Sequence, residues 1–147
     1  MIVCRQASAQ DLAGILALLH EIMQHHGVTP PRQSDLSRTV SAILSSSDHE
    51  IIVAEKTGRL VGMCACIFTF STWSAAPVCE LQDLIVSRSE RRTQVGTRLV
   101  EAARQMASNR GCARMFLLAE PWNFEAHAFY RRLGFQEKTC LYFELGL

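Results

Sequence analysis

Apolar residues at intervals of three and four positions predict two helices in the first third of the chain. A short apolar segment, IVCRQA, comes first and predicts a strand. Ser8 then lies three residues before Asp11, which is the spacing of a capping box, so we expect the first helix to begin there. Pro30 and Pro31 introduce the second helix. The apolar faces of the two helices are Leu12, Ile15, Leu16, Leu19 and Met23 in the first, and Leu36, Val40, Ile43 and Leu44 in the second.

Runs rich in β-branched and aromatic residues predict strands in the middle of the chain. IIVAE and RLVGMCACIFTF, joined by KTG, are typical of a hairpin, and VCELQDLIV predicts a third strand after Pro77. QVGTRLVEAARQMASN predicts a helix that Gly111 ends. The remainder predicts a strand in CARMFLLA, a helix from Asn123 to Leu133 closed by Gly134, and one or two strands in FQEKTCLYFELGL. This order favours an α/β (α+β) fold with helices packed on a mixed sheet.

Composition narrows the class of protein. A length of 147 residues fits a single domain, 1–147, and a net charge of +1 argues against binding to nucleic acid. No apolar run approaches the roughly 20 residues that cross a bilayer, and MIVCRQASAQDLAG lacks the pattern of a secretory signal. The six cysteines are spread singly without a C-x-x-C pair or matching histidines. We therefore expect a cytoplasmic protein that has no membrane segment and no metal site.

The segment RRTQVGTRLV, Arg91 to Val100, has the features of a phosphate-binding turn. It joins a predicted strand ending at Val86 to a helix beginning near Gln94, where main-chain N–H groups and the helix dipole attract anions. Gly96 lets the main chain approach a bulky ligand, and Arg91, Arg92 and Arg98 add positive charge. A solvated basic turn explains the same residues, so the turn alone does not establish a phosphate site.

A second motif changes this interpretation. N-x-x-A-x-x-F-Y-x-x-L-G-F, from Asn123 to Phe135, follows R-x-x-Q-V-G-x-x-L, from Arg91 to Leu99. Together they resemble the GNAT superfamily of acetyl-CoA-dependent N-acetyltransferases, and in particular its small-amine members that act on diamines, polyamines or aminoalkylphosphonates. The resemblance implies acetyl-CoA as cosubstrate and a mixed, mostly antiparallel sheet of six to seven strands with about four helices.

The resemblance also assigns residues to the cofactor. It places the diphosphate of coenzyme A on the turn that comprises Arg91, Arg92, Thr93, Gln94, Val95, Gly96 and Thr97. It implies that the main chain of Leu84, Ile85 and Val86 pairs with the pantetheine amides, and that Asn123 contacts the pantetheine arm besides capping its helix. Gln94 stands where the family has a glycine. We expect the turn to function nevertheless, because glutamine also has a main-chain N–H and a first-turn position needs no positive φ.

Two side chains are candidates for the chemistry. Strand alternation predicts one face with Glu80, Gln82, Leu84 and Val86, and an opposite face with Cys79, Leu81, Asp83 and Ile85. The resemblance implies Glu80 as a water-mediated general base and Tyr130 as the general acid that protonates the thiolate. Asp83 is the weaker base because it should point away, unless the strand bulges. Alternatively, Glu80 is only an exposed strand residue and Tyr130 only packs in the core.

One segment indicates which class of molecule accepts the acetyl group. FSTWSAAPVCELQDLIV resembles the same region of diamine and polyamine acetyltransferases, which implies a small primary amine, although HEIMQHHGVTPPRQSDLSR carries mixed charge where a polyamine pocket should be acidic. Acetylation of protein lysines or N-termini, and an acetyl-CoA-binding module without turnover, remain open alternatives. By analogy with the family, the apolar TCLYFEL predicts a homodimer.

Overall fold

A computed structural model describes all residues, 1–147, which form two compact units, Met1–Leu117 and Leu118–Leu147. The first unit contains, in chain order, β1 (Ile2–Gln6), α1 (Leu12–His25), α2 (Gln33–Leu44), β2 (His49–Lys56), β3 (Arg59–Ser71), β4 (Ala76–Val86), α3 (Val95–Asn109) and β5 (Met115–Phe116). The second unit contains one helix, α4 (Phe124–Arg132). None of the helices is both long enough and apolar enough to span a membrane.

The five strands form one sheet in the order β1-β2-β3-β4-β5. The first four pair antiparallel, and β5 pairs parallel to β4 through only two positions, Cys79 with Met115 and Glu80 with Phe116. The expected mixed, mostly antiparallel sheet is confirmed. The expected number of six to seven strands is wrong, because residues 135–147 form no strand. Alternating apolar residues show which segment is able to enter a sheet, but a strand forms only where a neighbour supplies main-chain hydrogen bonds.

Helices cover both faces of this sheet in the first unit. On one face α1 and α2 pack over β2, β3 and the end of β4, where Met63, Ala65 and Ile85 belong to the buried cluster. The other face carries α3. Its carbonyl at Leu99 accepts a long hydrogen bond of 3.8 Å from the Cys64 thiol, which belongs to the opposite side of β3 from Met63. Burial on both faces explains why β2 and β3 are nearly continuous apolar runs.

The capping box predicted at Ser8 and Asp11 is confirmed at the single 3-10 turn that precedes α1. The Asp11 carboxylate accepts a hydrogen bond of 2.7 Å from the Ser8 main-chain N–H and two of 2.9 Å from the Arg5 guanidinium. Arg5 also reaches Glu55 on β2 at 2.7 Å. The hydrogen bonds from Arg5 hold the pKa of Asp11 at about 2, well below its ordinary value. This nearly buried carboxylate ties β1 and β2 to the start of α1.

Three of the six cysteines, Cys64, Cys66 and Cys79, are buried in the sheet as small side chains, while Cys4 and Cys112 are half-buried and Cys140 is exposed. Their pKa values follow from their surroundings: the neighbouring Cys64 thiol and burial raise the pKa of Cys66 to about 12. No group of three His, Cys, Asp or Glu side chains is placed to hold a metal ion.

Candidate active site

The first main-chain N–H groups of α3 have no hydrogen-bond acceptor within the helix. The first intrahelical bond runs from the Arg98 N–H to the Gln94 carbonyl at 3.0 Å, and no side chain caps the helix. The N–H groups of Val95, Gly96 and Thr97 therefore have no helical acceptor, and they lie at the positive end of the helix dipole. The predicted strand end at Val86 and the helix start beside Gln94 are confirmed. Free N–H groups at the start of a helix are the arrangement to which anions commonly bind.

The turn that leads into α3 has an unusual main chain. Arg92 has φ 64° and Gln94 has φ 69°, both in the left-handed region. Our expectation that Gln94 needs no positive φ is wrong, because Gln94 is the N-cap residue and not a helical one. A glycine adopts this conformation without steric cost, whereas glutamine is strained there by about 1–2 kcal/mol. Gln94 thus adopts a main-chain conformation that usually favours glycine.

Positive charge surrounds this turn. The Arg91 Nε donates a hydrogen bond to the Val86 carbonyl at 3.4 Å, and the Arg98 Nη1 donates to the Ile2 carbonyl at 3.0 Å. These bonds hold two guanidinium groups beside the ends of β4 and β1, while Arg92 is exposed on the turn itself. Lys56 is already neutralised by Glu90 at 2.9 Å. Arg91, Arg92 and Arg98 thus bring three positive charges to this turn and the first turn of α3.

Gly62 is a residue of this region that sequence reasoning missed. It lies on β3 opposite Val86, and a Cβ at Gly62 would stand 2.9 Å from the Ile85 carbonyl oxygen and 3.0 Å from side-chain atoms of Val95 and Leu99. Only glycine lets α3 approach the sheet this closely at its first turn. The feature that could have revealed it is an isolated glycine within the apolar run RLVGMCACIFTF, which is typical of a close approach by another main chain.

β4 contains a bulge that changes the predicted faces. Met63 pairs with Ile85 and Ala65 pairs with Gln82, so the single residue between them on β3 faces two residues, Asp83 and Leu84, on β4. Asp83 has φ 49°, a left-handed conformation. Ile85 consequently shares a face with Glu80 and Gln82, because paired residues of an antiparallel ladder point to the same side. The prediction of strict alternation from Glu80 to Val86 is wrong beyond Gln82.

Glu80 lies at the point where β4 loses its second neighbour. It pairs with Ile67 of β3 and with Phe116 of β5, and its Oε1 accepts a hydrogen bond of 3.1 Å from the Gln82 side chain. Beyond Glu80 no strand pairs with the outer edge of β4. The main chain of Leu84, Ile85 and Val86 follows along that edge and ends beside the turn before α3. An extended ligand with amide groups would be able to add there as a strand does.

Asp83 carries a second carboxyl group in this region. Its side chain is exposed and takes part in no hydrogen bond or ion pair. Enough protein nevertheless surrounds the group that desolvation raises the pKa of Asp83 above its ordinary value.

The second unit contains the remaining candidates, Asn123 and Tyr130. Asn123 caps α4, since its Oδ1 accepts a hydrogen bond of 3.2 Å from the Ala126 N–H, which confirms the predicted cap. Tyr130 lies near the other end of α4, half-buried, with its ring edge-on to Phe129 at 5.3 Å and to Phe135 at 5.6 Å between centroids. The predicted helix end at Gly134 is also confirmed, by its φ of 90°. These aromatic contacts fix the Tyr130 ring on its helix.

Comparison with known proteins places this arrangement in a family. The model of the Acetyltransferase (GNAT) family matches residues 15–135. The chain is 30% identical over 138 residues to an uncharacterized N-acetyltransferase, YhfO, of Bacillus subtilis (strain 168), covering 92% of this chain and 90% of that one. It is 24% identical to the thialysine N-epsilon-acetyltransferase of Bos taurus, covering 94% and 86%. A possible acetyltransferase from Clostridium difficile 630 has the same fold, with a TM-score of 0.89 at 19% identity over 100% of this chain and 98% of that one. The protein therefore belongs to the GNAT acetyltransferase family and is an N-acetyltransferase.

Proposed function

We propose that the protein transfers the acetyl group of acetyl-CoA to a primary amine of a small molecule. The observation that carries this proposal is the uncapped first turn of α3, which follows the unpaired edge of β4 after a connection of residues 87–94. A diphosphate on the turn and an amide-bearing arm along the edge are two consecutive parts of one coenzyme A molecule. The match to the GNAT family supports the same cofactor.

In this proposal the main chain holds most of the cofactor. The N–H groups of the turn from Arg91 to Thr97 bind the diphosphate, and Gly96 leaves room for its oxygens. Leu84, Ile85 and Val86 pair with the pantetheine arm, and one of their N–H groups polarises the thioester carbonyl. Asn123 contacts the same arm while it caps α4. The bound thioester supplies an acetyl group that is activated toward attack by an amine.

The side chains of Glu80 and Tyr130 move the protons. An alkylammonium ion has a pKa of about 10.4, so near neutral pH a base must remove a proton before the nitrogen attacks. Glu80 takes that proton, through water, and Tyr130 donates a proton to the departing thiolate. Amine and thioester react directly with one another in a ternary complex, and no acetylated enzyme intermediate forms.

The proposal also covers the molecule that accepts the acetyl group, the oligomeric state and the cellular compartment. A relative named for thialysine Nε-acetylation supports a primary alkylamine as acceptor. The family model spans residues of both compact units, which supports a single acetyltransferase domain, 1–147. We further propose a cytoplasmic homodimer. The exposed apolar side chains of Leu141, Tyr142, Phe143 and Leu145 support the dimer, which light scattering after size exclusion tests.

Mass spectrometry of a panel of small amines, lysine peptides and N-terminal peptides with acetyl-CoA tests the function. We expect an acetylated product from at least one small primary amine, and a fall in kcat of about 100-fold or more in both Glu80→Gln and Tyr130→Phe. Binding of acetyl-CoA should be retained in both variants. Product from peptides alone would indicate a protein acetyltransferase, and binding without any product would indicate a sensor module; either result would contradict the proposal.

A further inference from the structure

The connection between β4 and α3 is fixed at its start by side chains from two other elements. It begins with one 3-10 turn, Arg88–Glu90. The Glu21 carboxylate of α1 accepts a hydrogen bond of 2.8 Å from the Arg88 main-chain N–H. The Lys56 ammonium group at the end of β2 donates to both carboxylate oxygens of Glu90, at 2.9 and 3.0 Å. The connection is therefore held from α1 and from the sheet before it reaches the proposed diphosphate turn.

The Lys56–Glu90 pair is more enclosed than an ordinary surface ion pair. The Glu90 side chain is 13% exposed and that of Lys56 is 41% exposed. By contrast, Glu101 and Arg104 on α3 are 64% and 49% exposed and lie 3.4 Å apart. A mostly buried carboxylate that is bound through both oxygens has few alternative positions, so it also restrains the main chain that carries it.

The residues that follow Glu90 have a main chain that needs such restraint. Arg92 and Gln94 have left-handed φ values of 64° and 69°. Neither residue is glycine, so each is strained, and a strained conformation persists only where surrounding contacts hold it. The Thr93 hydroxyl donates a hydrogen bond to the Glu90 carbonyl, which links the strained residues to the anchored one. N–H groups that are already arranged around a ligand bind it more tightly, because binding then does not have to order them.

We propose that Lys56, Glu90 and Glu21 are positioning residues for the diphosphate of acetyl-CoA, and that they act through the main chain of residues 87–94. The inference rests on the proposed function and adds to it residues that lie outside the turn motif or contribute no main-chain donor to it. Lys56 also neutralises Glu90, which is the one acidic residue of the connection. An unpaired carboxylate beside the turn would repel an anion.

Glu90→Gln separates the effect of position from the effect of charge, because the two have opposite signs. Removal of a negative charge alone would tighten the binding of the anionic acetyl-CoA. Loss of the anchor would weaken it, because a smaller fraction of the protein would then have the turn in its binding conformation. Glu21→Ala removes the other anchor and the same charge. Glu101→Gln is the matched control, since it removes a carboxylate from an exposed ion pair on α3 itself.

Calorimetric titration of the wild type and the three variants with acetyl-CoA, and with acetylpantetheine, which lacks the diphosphate, tests the inference. We expect the Kd for acetyl-CoA to rise about tenfold in Glu90→Gln and in Glu21→Ala, and the Kd for acetylpantetheine to stay within about twofold. The KM for acetyl-CoA should rise by a similar factor, while kcat at saturating acetyl-CoA stays within about threefold. Glu101→Gln should match the wild type in every measurement.

Unchanged or tighter binding of acetyl-CoA in the anchor variants overturns the inference, and so does an equal loss of affinity for both ligands, which indicates general destabilisation. Urea denaturation shows whether each variant is folded under the conditions of the titration, and Glu21→Ala decides the inference if Glu90→Gln is not. Failure of the proposed function is separately visible, because the wild-type protein would then acetylate no amine, whereas the titrations do not depend on turnover.

Discussion

At the scale of single residues, Gln94 has a left-handed main chain in the proposed diphosphate turn although it is not a glycine. Glutamine and glycine both have a main-chain N–H that is able to bind an anion. They differ in conformational energy, because the left-handed φ of 69° strains glutamine and not glycine. The side chain of Gln94 is exposed, so it does not enter the protein interior. In the proposed function the diphosphate contacts main-chain N–H groups, so the glycine is not essential to the motif.

Asp11 allows a prediction on pH and stability. Its pKa is about 2 in the folded protein, below the ordinary value, so its ionised form stabilises the fold above about pH 4. That contribution disappears as the pH falls through the folded value. Asp11→Asn should lower the free energy of unfolding by on the order of 1–2 kcal/mol at neutral pH, discounted because the Arg5 partner is half exposed.

Urea denaturation of the wild type and Asp11→Asn at a series of pH values measures this contribution. The two unfolding free energies should converge as the pH falls below about 4, and remain parallel above it. A difference that stays the same down to the lowest pH would show that Asp11 acts by packing alone.

The role of a side chain was predictable from the sequence where it depends on residues a few positions away. It was not predictable where it depends on how two strands pair. The capping box of Ser8 and Asp11 and the cap by Asn123 follow from spacing within one turn of helix, and both are confirmed. The direction of Asp83 depends on the register between β3 and β4, which alternation along β4 alone does not contain. The sequence allowed a bulge in β4 to be considered, but it did not show at which residues the bulge lies.

At the scale of elements, strands with a strong apolar pattern were predictable from the sequence, whereas the extent of the last strands was not. The predicted helices and the strands β1 to β4 are confirmed. In the first unit, α1, α2, α3, β2, β3 and β4 each contribute buried apolar residues to the core. β5 is confined to Met115–Phe116, although CARMFLLA as a whole has the composition of a strand. The tail likewise has strand-like composition and no strand. Edge strands depend on a single neighbour, so their extent is the least predictable from one sequence.

Gly62 supports a prediction about how α3 meets the sheet. Gly62→Ala would place a methyl group against the Ile85 carbonyl oxygen and the Val95 side chain, so either β4 or the first turn of α3 must move. We expect a loss of about 1–3 kcal/mol in the free energy of unfolding, as for other overpacked sites. Acetyl-CoA affinity should also fall, because the displaced turn is the proposed diphosphate site.

Gly146→Ala is the matched control for this variant, since a Cβ at Gly146 meets no atom within 4 Å. Denaturation and calorimetric titration with acetyl-CoA should leave the control unchanged. Full stability and full affinity in Gly62→Ala would mean that α3 does not require this close approach.

At the scale of the whole molecule, the two compact units differ in how much of each is buried. Met1–Leu117 contains the sheet, three helices and every buried core residue, whereas Leu118–Leu147 contains α4 and no fully buried residue. The proposed cofactor turn and Glu80 belong to the first unit, and the candidates Asn123 and Tyr130 belong to the second. The family match across residues 15–135 is the reason to treat them as one enzyme.

The central claim is that the first turn of α3 binds the diphosphate of acetyl-CoA. Calorimetric titration of the wild type, Gln94→Gly and Gly96→Val with acetyl-CoA, and with acetylpantetheine, which lacks the diphosphate and the nucleotide, tests it most directly. The wild type and Gln94→Gly should bind acetyl-CoA alike within about threefold, and at least about 100-fold more tightly than acetylpantetheine. Gly96→Val should lose that preference while circular dichroism shows an intact fold. Undiminished binding of acetyl-CoA by Gly96→Val would contradict the account.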